Sequence, residues 1–151
     1  VNVGAEWDLT EVDDLIEHLA AAVPKTEELC SVVVRKTAFD TVAGGQTRVA
    51  VDTGHLKSTI GVDFDNDGLG FEAGPTASYG AHVEYGTKPH IIRPRNAKAL
   101  HWVDEHGDDV FARLVHHPGT APQPYMRPAF DEATAPLPEI LAQVGEKVLR
   151  G

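Results

Sequence analysis

The chain has little with which to hold phosphate, cross a membrane or lock itself covalently. It has 13 Lys and Arg against 23 Asp and Glu, a formal net charge of −10. That balance argues against a general grip on nucleic-acid backbones and favours charge-matched protein partners. A single cysteine, Cys30, allows no internal disulfide; its place on an apolar helical face marks it as core packing. No apolar run approaches the roughly 20 residues a bilayer requires. The opening VNVGAEWD lacks the charged and apolar regions of a signal peptide, so a soluble, unexported protein without membrane contact is expected. Also missing are GxSxG, HExxH, a phosphate-binding Gly-rich loop and an evident nucleophilic cysteine. No catalytic, cofactor or metal residues are assigned, and the protein is not expected to be an enzyme.

What is present is one domain's worth of patterned chain. With 151 residues, 42% of them hydrophobic, the expectation is a single domain over 1–151. From Asp8 to Ala22, Val12, Leu15, Ile16 and Leu19 recur three and four apart, and Asp8 or Thr10 can serve as N-cap. A second helical run carries Leu29, Val32, Val33 and Phe39 and is expected to end before Gly44 and Gly45. The two runs are either separate helices or one helix kinked at Pro24. Eight acids and one lysine lie between Glu6 and Glu28, either a solvated helix face or an acidic contact surface.

Strands are expected at 59–64 and 69–73, joined across Asn66, Asp67 and Gly68. Others are expected at 79–85, at 99–103 and, after a polar turn, at 110–116. Leu137, Ile140, Leu141, Val144 and Val148 give a closing amphipathic helix. The fold class is therefore α+β: N-terminal helices and a C-terminal helix on a mostly antiparallel sheet of about five strands with a long basic loop. Residues 117–130 hold four prolines and read as a constrained connector, with regular helix expected only after Pro128.

Three stretches invite chemistry. VAVDTGHL at 49–56 has the Asp-Thr-Gly of an aspartic protease loop, with Asp52 as the acid, but there is one copy and His55 follows it. A homodimeric protease is the enzymatic alternative; Asp52 and Thr53 capping a tight turn at Gly54, anchored by Leu56 and Ile60, is the structural one. DFDNDG at 63–68 opens like a calcium loop, yet its twelfth position is Gly74 where a bidentate Glu belongs, so an acidic hairpin tip is expected. Histidines at 82, 90, 101, 106, 116 and 117 lack metal-ligand spacing.

The most unusual stretch is Gly86 to Lys98. Lys88, Arg93, Arg95 and Lys98 stand there with no acid among them, leaving the remainder of the chain at −14 once those four charges are set aside from −10. Such an arm, with Ile91 and Ile92 at its centre, is expected to be mobile alone and to be ordered and buried against an acidic neighbour. A binding module that uses residues 86–98 as a recognition loop is one reading of this arm.

Four pieces in order, VDTGHLKSTI at 51–60, YGAHVEYGT at 79–87, IIRPRNAKALHW at 91–102 and HHPGTAPQPYMRPAFDEA at 116–133, resemble the minor tail component or tail-completion proteins of long-tailed bacteriophages. The resemblance rests on Thr53, Gly54, Leu56, Ile60, Tyr79, Val83, Glu84, Gly86, Thr87, Pro118, Gly119, Thr120, Gln123, Pro124, Arg127 and Pro128. It implies a virion protein of the tail or neck, forming a homo-oligomeric ring of six copies beside other neck and tail proteins. DNA would pass its lumen without sequence-specific binding. These positions would then serve fold and interface, none of them catalysis.

Overall fold

The computed structural model describes residues 10–150. The expected N-cap Asp8 lies outside them. Helix α1 runs unbroken from Thr10 to Arg48, about 58 Å at 1.5 Å per residue. The two expected helical runs are thus one. Pro24 is tolerated because it is exposed and the carbonyl of Ala20, which it leaves without an i+4 donor, is on an exposed residue as well.

Gly44 and Gly45 do not end this helix; they let another helix close on it. A Cβ at Gly45 would stand 2.6 Å from Met126 Sδ, and one at Gly44 would stand 3.0 Å from Ala129 Cβ. Met126 and Ala129 belong to α4 (Met126–Thr134), which packs along the second half of α1. Helix α5 (Leu137–Leu149) also lies against α1 and buries Val148.

A short helix α2 (His55–Ser58) follows Gly54, whose φ of 81° is a left-handed conformation suited to glycine. Strands β1 (Ile60–Phe64) and β2 (Phe71–Pro75) form the expected hairpin, paired from Ile60↔Pro75 to Phe64↔Phe71. Its tip uses its own acids: Asp67 Oδ1 accepts the Leu69 N–H at 2.9 Å, and Gly68 takes φ 70°. Asp67 is therefore engaged as a turn residue within a β-hairpin. The core cluster of Val49, Leu56, Ile60 and Tyr125, with Val42, Val83 and Met126 packed on it, joins α1, α2, β1, α3 and α4.

Two further expectations are overturned around the core. Residues 80–85 form a helix, α3 (Gly80–Tyr85), instead of a strand. Its buried positions are Gly80 and Glu84, four apart, a helical spacing that the small and aromatic residues around them obscure. Helix α4 begins before Pro128. Pro128 sits in its first turn, where a missing N–H breaks no intrahelical bond.

From Thr87 to Thr120 the chain makes a long antiparallel excursion. Strand β3 (His90–Ile92) pairs with β6 (Val115–His117) in the register His90↔His117, Ile91↔His116 and Ile92↔Val115. Farther out, β4 (Leu100–Val103) pairs with β5 (Asp109–Ala112), from Leu100↔Ala112 to Val103↔Asp109. The expected strand at 110–116 is thus divided between two partners. Residues 93–99, seven on one side, face only residues 113–114 on the other, so the basic segment loops out between the ladders. The tip closes at Asp104, whose Oδ1 accepts the His106 N–H at 2.9 Å and the Asp108 N–H at 3.0 Å. The class is α+β, with six strands among the described residues, in three two-stranded antiparallel ladders in place of one sheet of about five.

Candidate assembly surface

The motif pieces converge on one side chain. Glu84 is 6% exposed and its carboxylate accepts three backbone N–H groups at the start of α4. Oε2 takes those of Tyr125 at 2.7 Å and Met126 at 2.9 Å, and Oε1 takes that of Arg127 at 2.9 Å. A helix leaves four N-terminal donors without intrahelical partners. Tyr125, Met126 and Arg127 supply three, and Pro128 has none to supply. One carboxylate 41 residues away in sequence from Tyr125 therefore completes the cap, on the end of the helix that favours negative charge. Arg127 serves this junction through its backbone; its side chain is exposed and reaches Asp131 Oδ2 at 3.3 Å.

Around Glu84 the other motif residues lock α3 to the connector. Gln123 donates its N–H to Val83 O at 2.8 Å, and Tyr125 donates its hydroxyl to Gly80 O at 3.3 Å. Tyr125 is 1% exposed, and burial holds its phenol above the ordinary 10.0, with the Glu84, Tyr79 and Tyr85 charges adding in the same direction. Gly80 is needed for contact: a Cβ there would meet Pro75 Cγ at 2.3 Å.

The arm is tied in at its root. Thr87 and Thr120 exchange backbone N–H···O bonds of 3.0 and 3.1 Å, and their hydroxyls stand 2.9 Å apart. The flanking Gly86 and Gly119 take φ of 72° and 88°, and a Cβ on either would come within 2.4 Å of the opposite threonine's carbonyl. These glycines fix where the arm leaves the body. Pro118 and Pro124 lie exposed on the returning strand side and connector.

At the DTG turn the cap role falls to Thr53, whose Oγ1 accepts the His55 N–H at 3.4 Å, while Leu56 and Ile60 below it are buried. Asp52 is exposed and makes no hydrogen bond among the described residues, so it is not the turn cap the sequence suggests. Tyr79 lies beside His55, ring centroids 6.3 Å apart. His116 and His117 diverge on β6 as expected, and His117 lies against His90 across the ladder at 4.9 Å. Among the described residues no group of His, Cys, Asp and Glu is placed to hold a metal ion, and no helix is long and apolar enough to cross a membrane.

The basic segment is more structured than a free arm. His90–Ile92 are laddered, Ile92 is half-buried, and Ile91 is 51% exposed within the single chain. Lys88, Arg93, Arg95 and Lys98 are all exposed and none forms an ion pair among the described residues.

Residues 13–86 match the HK97-gp10-like family, whose description reads "Bacteriophage HK97-gp10, putative tail-component". Over that stretch the chain is similar to that family. The match begins near the free end of α1 and stops at Gly86, where the arm leaves the body. It takes in Thr53, Gly54, Leu56, Ile60, Tyr79, Val83 and Glu84, so the matched portion contains the carboxylate but not the helix that it caps. No curated protein and no solved structure matches the chain. Glu84 as a buried helix cap and the paired glycines of α1 were not legible as such in the sequence. A signal for the former existed: a carboxylate in one motif and a donor-rich turn before proline in another.

Proposed function

We propose that this protein is a structural subunit of a phage tail, closing into a ring at the head-tail junction and acting in tail completion or head-tail joining. The observation that carries this reading is the family match across α1 to α3, the portion that holds Val49, Leu56 and Ile60 of the core and the Glu84 carboxylate. The charge layout supports it. Acids dominate the first turns of α1, while exposed cations cluster on the β-arm, so opposite signs stand on different projections of one chain, as head-to-tail subunit contacts require. A ring of six copies with an acidic lumen would let DNA pass without adhering. Its other partners are the neighbouring neck and tail proteins, its place is the virion, and its role involves no catalytic step.

Deleting the gene from the phage that carries it, then examining particles by electron microscopy, tests the reading. Filled heads and separate tails, rejoined when the protein is supplied, are expected; normal infectious particles without it would overturn it. Ring formation separates this reading from a monomeric binding module.

A further inference from the structure

The apolar face of α1 does not stop where its covering stops. Ala22, Thr26, Cys30, Val33 and Thr37 lie on the face turned toward the body, and the same spacing continues through Leu19, Leu15 and Val12. Yet every residue from Thr10 to Ala21 is exposed. Val12, Leu15, Ile16, Leu19 and Val23 retain 50–58% of their accessible surface, a stripe about 17 Å long by helical rise. Among the described residues the end of α5, at Val148, Leu149 and Arg150, comes beside Leu15 and Leu19 and leaves both at least half exposed. Glu11, Asp13, Asp14 and Glu17 flank the stripe, and none is ion-paired among the described residues.

The β-arm presents the complement. The looped-out 93–99 segment carries Arg93, Arg95 and Lys98, Lys88 stands at the near end of β3, and Ile91 is half-exposed on β3 itself. Within one chain the two surfaces leave each other uncovered, since the α1 segment and all four cations are exposed. Pairing α1 with α1 is disfavoured on charge. A parallel pair stacks the acidic turns on each other, and an antiparallel pair brings them toward Glu27 and Glu28; of the two cations nearby, Lys25 and Arg150, the second is already paired with Glu146.

We propose that the overhanging first turns of α1 in one copy dock on the basic β-arm of the next, the apolar stripe covering Ile91 and the flanking acids meeting Arg93, Arg95 and Lys98. The contact joins two different surfaces of the chain, so it propagates from copy to copy and closes only as a ring. This names the subunit contact of the ring proposed above and rests on that reading.

The test is a reciprocal charge exchange in the purified full chain, read by light scattering at low and high salt, with circular dichroism to verify folding. One variant carries Asp13→Lys and Glu17→Lys; the other carries Arg93→Glu and Arg95→Glu. Each alone should lose self-association by about tenfold or more. An equimolar mixture should recover it, because each helix then meets an arm of opposite sign in the other variant. A wild-type chain that stays monomeric, an arm variant that assembles alone, or a mixture that fails to recover would each overturn the proposal. Leu15→Gln with Leu19→Gln gives a charge-neutral check and should also abolish assembly; unchanged assembly counts against the proposal. Mass spectrometry of purified virions separates the two levels. Protein present in virions with no recovery in the mixture breaks the contact and leaves the tail reading standing; recovery with protein absent from virions does the reverse.

Discussion

The two halves of α1 share a periodicity and differ in everything around it. Beyond Cys30 the apolar and small face is closed by α4, α5 and the β1–β2 hairpin, with Thr37, Ala38, Thr41 and Gly45 buried. Before Ala22 a face with larger apolar side chains stays exposed among the described residues, approached by the end of α5 beside Leu15 and Leu19. Side-chain size follows from that difference. The covered half uses small residues because a second helix backbone lies close, and Thr37 and Thr41 turn their hydroxyls back to Val33 O at 3.0 Å and Thr37 O at 2.8 Å, leaving no polar atom unpaired. The open half keeps Leu and Ile, which suit a surface that is met from outside.

The contrast can be broken most severely at the junction that holds the covered half shut. Glu84→Ala would strand three N–H groups at the start of α4, and a loss of about 3 kcal/mol or more is expected in urea unfolding, since each buried unsatisfied group costs roughly 1–3 kcal/mol. A loss under about 1 kcal/mol would mean that water replaces the carboxylate. Next in size is Gly45→Ala, which sets a methyl against Met126 Sδ and should cost about 1–3 kcal/mol by overpacking. Adding Met126→Ala in the same chain should relieve part of that cost, so a strictly additive double mutant would show that the helices are not in contact there.

The pH dependence is a finer probe of the same junction. Because the folded Tyr125 phenol is held above 10.0, the folded state keeps its proton longer than the unfolded chain does. Its contribution is therefore complete below pH 10 and lost as pH rises toward and through the folded value. Alkaline unfolding should be less steep above pH 10 in Tyr125→Phe than in the wild type; identical slopes would mean that the phenol titrates freely. Smallest of all should be Leu15→Gln or Leu19→Gln, each within about 0.5 kcal/mol in the monomer because both remain at least half exposed beside the end of α5. A larger loss, measured where the protein is monomeric, would show the open half to be covered after all.

Local regularity explains which parts were legible in the sequence. The α1 pattern, the Asn-Asp-Gly hairpin and the α5 stripe each announce themselves within a few residues, and each is found near its expected place, apart from the joining of the two α1 runs and the continuation of α1 past Gly44 and Gly45 to Arg48. What was hidden depends on partners far along the chain. Residues 80–85 look extended until Gly80 is set beneath Pro75 and Glu84 beneath α4. Pro128 reads as a barrier to helix until the first-turn donors are counted. Gly44 and Gly45 read as a helix end until Met126 and Ala129 arrive to need the room. The cations at 88–98 were plain, but their division between a ladder and a looped-out segment depends on a strand more than 20 residues later.

The offset between the arm's two ladders separates shape from address. Five more residues lie between β3 and β4 than between β5 and β6. Insertions, deletions or exchanges within 93–99 can therefore be absorbed without shifting either register, because the surplus chain already lies outside the pairing. A lineage of such proteins could rewrite which neighbour the arm accepts while inheriting the scaffold unchanged, so sequence divergence should concentrate in this one segment.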